Sequence, residues 1–167
     1  MHPHLYLGFK FIHVASVILF LGNIITGLFW KAHADRTRDP AIIRHALEGI
    51  IRSDQLFTVP SIIVIVIGGI GAAVAGRYPI LSTGWIFWSI VLFSISGLAF
   101  GFQVAPLQTR LLTVARAGLE AGHLDWISYK TLSRRWELWG AVALLTPALA
   151  VALMIVKPLL PGLRDLL

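Results

Sequence analysis

LYLGFKFIHVASVILFLGNIITGLFW, residues 5–30, is apolar enough to cross a bilayer yet carries Lys10 and His13 within it. At a rise of about 1.5 Å per residue it reaches roughly 39 Å, more than the hydrocarbon core of about 30 Å. With successive residues about 100° apart on a helix, Tyr6, Lys10, His13, Ser16, Asn23 and Gly27 share one sector, and Ala15, Ile18 and Gly22 lie opposite. A span with one polar stripe faces protein, a cavity or a ligand along that stripe, not lipid all round. Ionisable groups are costly at membrane depth, so the stripe is the first place to look for function.

The rest of the chain has the same character. Hydrophobic residues make up 57% and charged residues 13% of 167, against roughly 45–50% and 25% in soluble domains. The expected organisation is a single membrane domain over residues 1–167. The net charge of +6 does not point to nucleic acid, because the basic residues lie between apolar runs, where they act as topology signals and lipid contacts. The absence of Cys excludes disulfides, thiolate metal sites, Cys-ligated iron–sulfur clusters and covalent c-type haem. The first run lacks the basic flank, short core and small-residue site of a cleavable signal peptide, and is expected to be retained.

Four apolar runs, at about 5–30, 56–76, 84–104 and 138–159, predict an all-α integral membrane four-helix bundle. Gly68, Gly69, Gly71 and Gly76 in the second allow helix backbones to approach closely. Gly97 and Gly101 form a GxxxG in the third, read as a helix-contact face. Pro147 in the fourth is expected to kink it and free one carbonyl. The connection 31–55 contains Ile43, Leu47, Ile50 and Ile51 on one helical face, with Arg44, Glu48 and Arg52 away from it. It reads as a short amphipathic helix on the cytoplasmic membrane surface, with Asp39 as N-cap before Pro40. The connection 105–137 prolongs the third helix to Gly118 and starts another, capped by Asp125, that leads into the last span.

Basic residues give the orientation. Lys31, Arg36, Arg38, Arg44, Arg52, Arg110, Arg116, Lys130, Arg134 and Arg135 fall on one side; Lys10, Arg77, Lys157 and Arg164 fall on the other. This bias places both termini outside the cytoplasm, which in a bacterial inner membrane means the periplasm.

His13 should then lie roughly 12 Å into the outer leaflet and Met154 about 7–8 Å deep in the same leaflet. Imidazole and thioether are both haem axial ligands, and four-helix membrane bundles hold b-type haem between such residues. Phe9, Phe20, Trp85, Phe87 and Trp88 could wall a porphyrin. Three readings of His13 stand side by side: ligand to haem, porphyrin or metal; structural histidine bonded to a neighbouring helix; and proton relay. Lys10 and Lys157 either snorkel or form an outer anion site for propionates or lipid phosphates. At the basic end, Asp54 and Glu137 each stand before a span, as helix-terminal carboxylates or as a network with Arg52, Arg110, Arg134 and Arg135. His33, His45 and His123 are too scattered for a metal cluster, and His2 and His4 read as a tail.

These segments resemble a known group. YLGFKFIHVASVILFLGNI (6–24) is similar to the first span of the HemJ-type membrane protoporphyrinogen IX oxidases and of CopD-type copper-resistance membrane proteins. Both share an aromatic-K-x-x-H opening followed by a glycine. RSDQLFTVPSIIVIVIGG (52–69), APLQTRL (105–111) and LSRRWELWGAVALLTPALAVALMIVKP (132–158) resemble more closely an uncharacterised family of four-span predicted integral membrane proteins, almost end to end. The HemJ resemblance implies haem b and a first-span histidine, matched by His13. It also implies a third-span lysine, but that position falls near Ser89, and the histidine that follows it falls near Ala99. Glu137 and the Lys157-Pro158 pair match the family's last-span carboxylate and closing KP. The resemblance therefore implies the fold and a tetrapyrrole pocket, without the oxidase reaction.

The leading functional expectation is a haem b- or porphyrin-binding redox protein using His13, with Met154, Lys10 and Lys157 nearby. The alternatives are a non-enzymatic assembly subunit of a homo-oligomer or larger membrane complex, and small-solute or proton transport. Against transport stand the lack of an inverted repeat and of a carboxylate within the span cores.

Overall fold

In a computed structural model, which describes residues 3–166, four long helices are joined by short turns; His2 lies outside the described residues. We label them α1 (Pro3–Thr37), α2 (Pro40–Ala75), α3 (Gly84–Ala121) and α4 (Trp126–Val156). All four are long and apolar enough to cross a membrane. Each also outruns a hydrocarbon core of about 30 Å. The surplus lies largely at the basic end.

The turns follow from local chemistry. Between α1 and α2, Arg38 adopts a left-handed φ of 55°, and the Asp39 side chain accepts from the Ala41 amide ahead of Pro40. Gly122, with φ 74°, closes α3, since a residue without Cβ takes that conformation freely. Asp125 then caps α4 by accepting from the Ser128 amide. Hydrogen bonding from Ser128 holds its carboxyl below the usual carboxylate range. Both expected caps are present.

The segment read as a short amphipathic helix is not a separate element. Residues 40–53 run without a break into the second span, and Ile43 and Leu47 are fully buried. They join a core with Leu107, Leu111 and Ala115 of α3 and with Tyr129 and Trp136 of α4. The amphipathic pattern was real, but its apolar stripe is satisfied by helices. Likewise the third span continues to Ala121, the fourth helix starts at Trp126, and it ends at Val156, before the residue-159 limit read from hydropathy.

Two prolines shape the middle of the bundle. Pro60 and Pro106 have no N–H to donate, and each follows a single π-helical turn, Asp54–Thr58 in α2 and Phe100–Val104 in α3. There the Val59 and Ala105 amides reach back five residues, to the Asp54 and Phe100 carbonyls. The widened turns leave α2 and α3 continuous where a standard ladder would lose a bond.

Away from the basic end the helices pair as α1 with α2 and α3 with α4. The α1–α2 pair uses the glycines as expected: a Cβ on Gly68 would lie 3.1 Å from the His13 backbone, and one on Gly71 would lie 2.5 Å from Phe9. The α3–α4 pair uses serines. Ser96 Oγ donates to the Ala143 carbonyl at 2.7 Å, the acceptor that Pro147 four residues later leaves without a helical partner. Ser89 donates to the Trp85 carbonyl and across the pair to Ala150. The tail after α4 folds back on the α2–α3 turn, with the Leu163 amide bonded to the Leu81 carbonyl.

Candidate functional site

Side chains of α1 reach out to different helices at three levels. Furthest from the basic end, His13 Nδ1 lies 2.8 Å from the Ile65 carbonyl. A carbonyl oxygen only accepts, so Nδ1 is the donor here; in the neutral ring Nε2 then holds the lone pair. The ring rests in a notch of α2, where a Cβ on Gly69 would lie 3.0 Å from Nδ1.

At the middle level, Asp54 is almost fully buried. Its Oδ1 accepts from Asn23 Nδ2 at 3.0 Å and Thr58 Oγ1 at 2.8 Å, and its Oδ2 from Gln108 Nε2 at 2.8 Å. Three neutral donors from α1, α2 and α3 thus converge on one carboxylate. The expected roles of Asp54, as a helix-terminal cap or an arginine partner, do not hold, because the helix continues through it. Beside this group is a cavity of about 30 Å³ whose lining includes Gly27, Asp54, Gln108 and Trp136. Room for a water takes about 10–15 Å³, and the buried Trp136 Nε1 has no protein acceptor.

At the basic end, Lys31 is 2% exposed. Its Nζ lies 2.6 Å from Asp35 Oδ2, 2.6 Å from Ser133 Oγ and 3.6 Å from Glu137 Oε1. The Tyr129 and Trp136 rings stand 5.5 and 5.1 Å from it. The Tyr129 hydroxyl donates to Asp35 Oδ1 at 2.6 Å, and Ser133 Oγ donates to Glu137 at 2.7 Å. A buried ammonium is costly unless paired and hydrogen-bonded, and here every element of that compensation is present.

The remaining sequence candidates fall elsewhere. Glu137 pairs with Lys31, whereas Arg52, Arg110 and Arg135 are exposed and make no salt bridge among the described residues. The arginine pairs lie further out, where Arg44 and Arg116 flank Glu48. Lys10 lies over Tyr6, and Lys157 lies 5.2 Å from the Trp85 ring. Met154 is half-buried on α4, whose partner at this level is α3, while His13 is seated on α2. No polar contact among the described residues joins the four expected cofactor residues. Sequence reading missed Lys31, counting it only as a topology charge. Part of its signal was there: Lys31 and Asp35 are four residues apart, as are Ser133 and Glu137.

A family model described as "Predicted integral membrane protein (DUF2269)" matches residues 7–158. The chain belongs to this family. The match takes in most of α1, all of α2, α3 and α4, and the His13, Asp54 and Lys31 groups. No curated protein and no solved structure matches the chain significantly. Among the described residues, no three His, Asp or Glu side chains gather as a metal site.

Fitting a haem to this DUF2269 chain gives a divided result. His13 has the donor chemistry, with Nδ1 anchored on a backbone carbonyl and Nε2 free to ligate. The expected aromatic wall is not assembled. Phe9 packs on Gly71, Phe20 meets Phe93, Trp85 meets Tyr78 and Lys157, and Trp88 meets Phe87 and donates to the Pro161 carbonyl.

Proposed function

We propose that this protein is a non-enzymatic assembly subunit of a bacterial inner membrane, with periplasmic termini, working as a homo-oligomer formed through α3. The observation that carries this reading is the state of the third-span GxxxG. Cβ atoms built on Gly97 and Gly101 meet nothing within 4 Å, and both residues are exposed with Ser94 one turn away. Gly68, Gly69 and Gly71 of the second span, by contrast, are packed against α1. An outward GxxxG is self-complementary across a two-fold axis, so a second copy of the chain is the partner that fits it. Lys31 and Asp54 support the same reading, because both are consumed in cross-braces between helices and neither faces an open site.

Native mass spectrometry in a mild detergent tests it. The wild type should fly as a dimer or higher oligomer, and Gly97→Leu with Gly101→Leu should give a monomer of unchanged thermal stability. A wild-type monomer, or an oligomer indifferent to both substitutions, overturns it.

The second reading is a haem b- or porphyrin-binding redox protein, with kinship to the HemJ- and CopD-type proteins. It is favoured by a histidine whose Nδ1 is fixed on a carbonyl and whose Nε2 makes no hydrogen bond among the described residues. Protein purified from haem-replete cells should then show a Soret band that is lost or shifted in His13→Ala. Colourless protein removes this reading.

A further inference from the structure

Beside the Lys31 cluster, on the basic end of the bundle, a cavity of about 370 Å³ opens between the end of α1 and the start of α4. Such a volume is in the range of small-ligand sites. Its rim carries Arg36, Arg38, Lys130 and Arg134. All four are exposed, and none makes a salt bridge among the described residues. Two carboxylates, Asp35 and Glu137, also face the cavity, but both are held by Lys31 and Ser133, and Asp35 by Tyr129 as well. Four rim cations thus stand beside two carboxylates that Lys31 already pairs. The floor is apolar and flat: the Trp126 and Tyr129 rings stack at 5.4 Å, and the Arg38 guanidinium lies 5.6 Å from the Trp126 ring.

We propose that this cavity is a binding site for a phosphate-bearing group. Phosphate suits it because it accepts planar forks from several arginines at once, whereas a carboxylate is satisfied by one. The site lies just past the apolar part of α1, where a phospholipid headgroup and a soluble phosphate ester can both arrive. The site does not depend on the oligomer proposed above, since the rim belongs to one chain and lies away from Gly97 and Gly101.

The test uses full-length, delipidated protein in neutral detergent, titrated with phosphatidylglycerol, phosphatidylcholine or inorganic phosphate and read by native mass spectrometry and thermal shift. The wild type should retain phosphatidylglycerol over phosphatidylcholine or be stabilised by inorganic phosphate. Arg36→Gln with Arg134→Gln should weaken that retention roughly thirtyfold, from the typical worth of two surface cations. Arg52→Gln with Arg110→Gln, basic residues off the rim, should leave it unchanged. Inorganic phosphate that displaces the lipid at millimolar concentration assigns the site to soluble phosphates; lipid that resists displacement assigns it to the headgroup. Equal loss in both double variants means a diffuse basic belt and overturns the site. So does no loss in the first variant, or failure of both probes to bind.

Discussion

Lys31 and Ser133 are 102 residues apart in sequence and 2.6 Å apart in space. That contact joins the first helix to the last at the basic end and closes the bundle around a buried charge. Removing the ammonium strands Asp35 and Glu137 beside one another. Lys31→Met should therefore cost about 1–3 kcal/mol, less than breaking a fully buried pair because Glu137 is more than half exposed. Adding Asp35→Asn and Glu137→Gln should recover much of the loss. Thermal unfolding in detergent checks both, and a Lys31→Met protein as stable as the wild type would show that the cage holds nothing together.

Asp54 makes a complementary case. Asp54→Asn keeps the shape and part of the acceptor capacity, whereas Asp54→Leu leaves the buried Gln108 amide without its acceptor and the half-buried Asn23 amide with Thr58 Oγ1 alone. Each stranded group costs about 1–3 kcal/mol, so the leucine variant should be clearly the less stable of the two. Equal stability would mean that water reaches Asn23 and Gln108.

Ser96 and Pro147 should be coupled although neither touches the other's function directly. Ser96→Ala orphans the Ala143 carbonyl, at a cost of about 1 kcal/mol. In a Pro147→Ala background the restored amide can take that carbonyl, and the serine deletion should become nearly neutral. A double-mutant cycle measures the difference; strict additivity would mean that the Ser96 bond does not compensate for the proline.

Glycines should divide by location. A Cβ on Gly71 collides with the Phe9 ring, so Gly71→Ala should destabilise by about 1–3 kcal/mol through overpacking. Gly97→Ala meets open space and should leave the monomer's stability unchanged. Chemical denaturation of the two purified variants checks the contrast.

Hydropathy and charge determined much on their own. Four runs too long and too apolar for a soluble core required four membrane-capable helices, because the backbone must satisfy its own hydrogen bonds in lipid. Asp39 and Asp125 marked helix starts through local bonds that need no distant partner. The positions of Gly68, Gly69 and Gly71 signalled close helix approach. What lay beyond the sequence was partner choice. Whether Ile43 and Leu47 face lipid or another helix, whether Asp54 ends a helix or sits inside one, and whether Gly97 packs within the chain all depend on how four helices are arranged. Lys31 is the clearest case. Its spacing to Asp35 is local, but its burial exists only because Ser133, Tyr129, Trp136 and Glu137 arrive from about a hundred residues away. Local chemistry and hydropathy act within a few residues and can be read in one dimension; the desolvation that separates a surface lysine from a buried one is set by the assembled bundle.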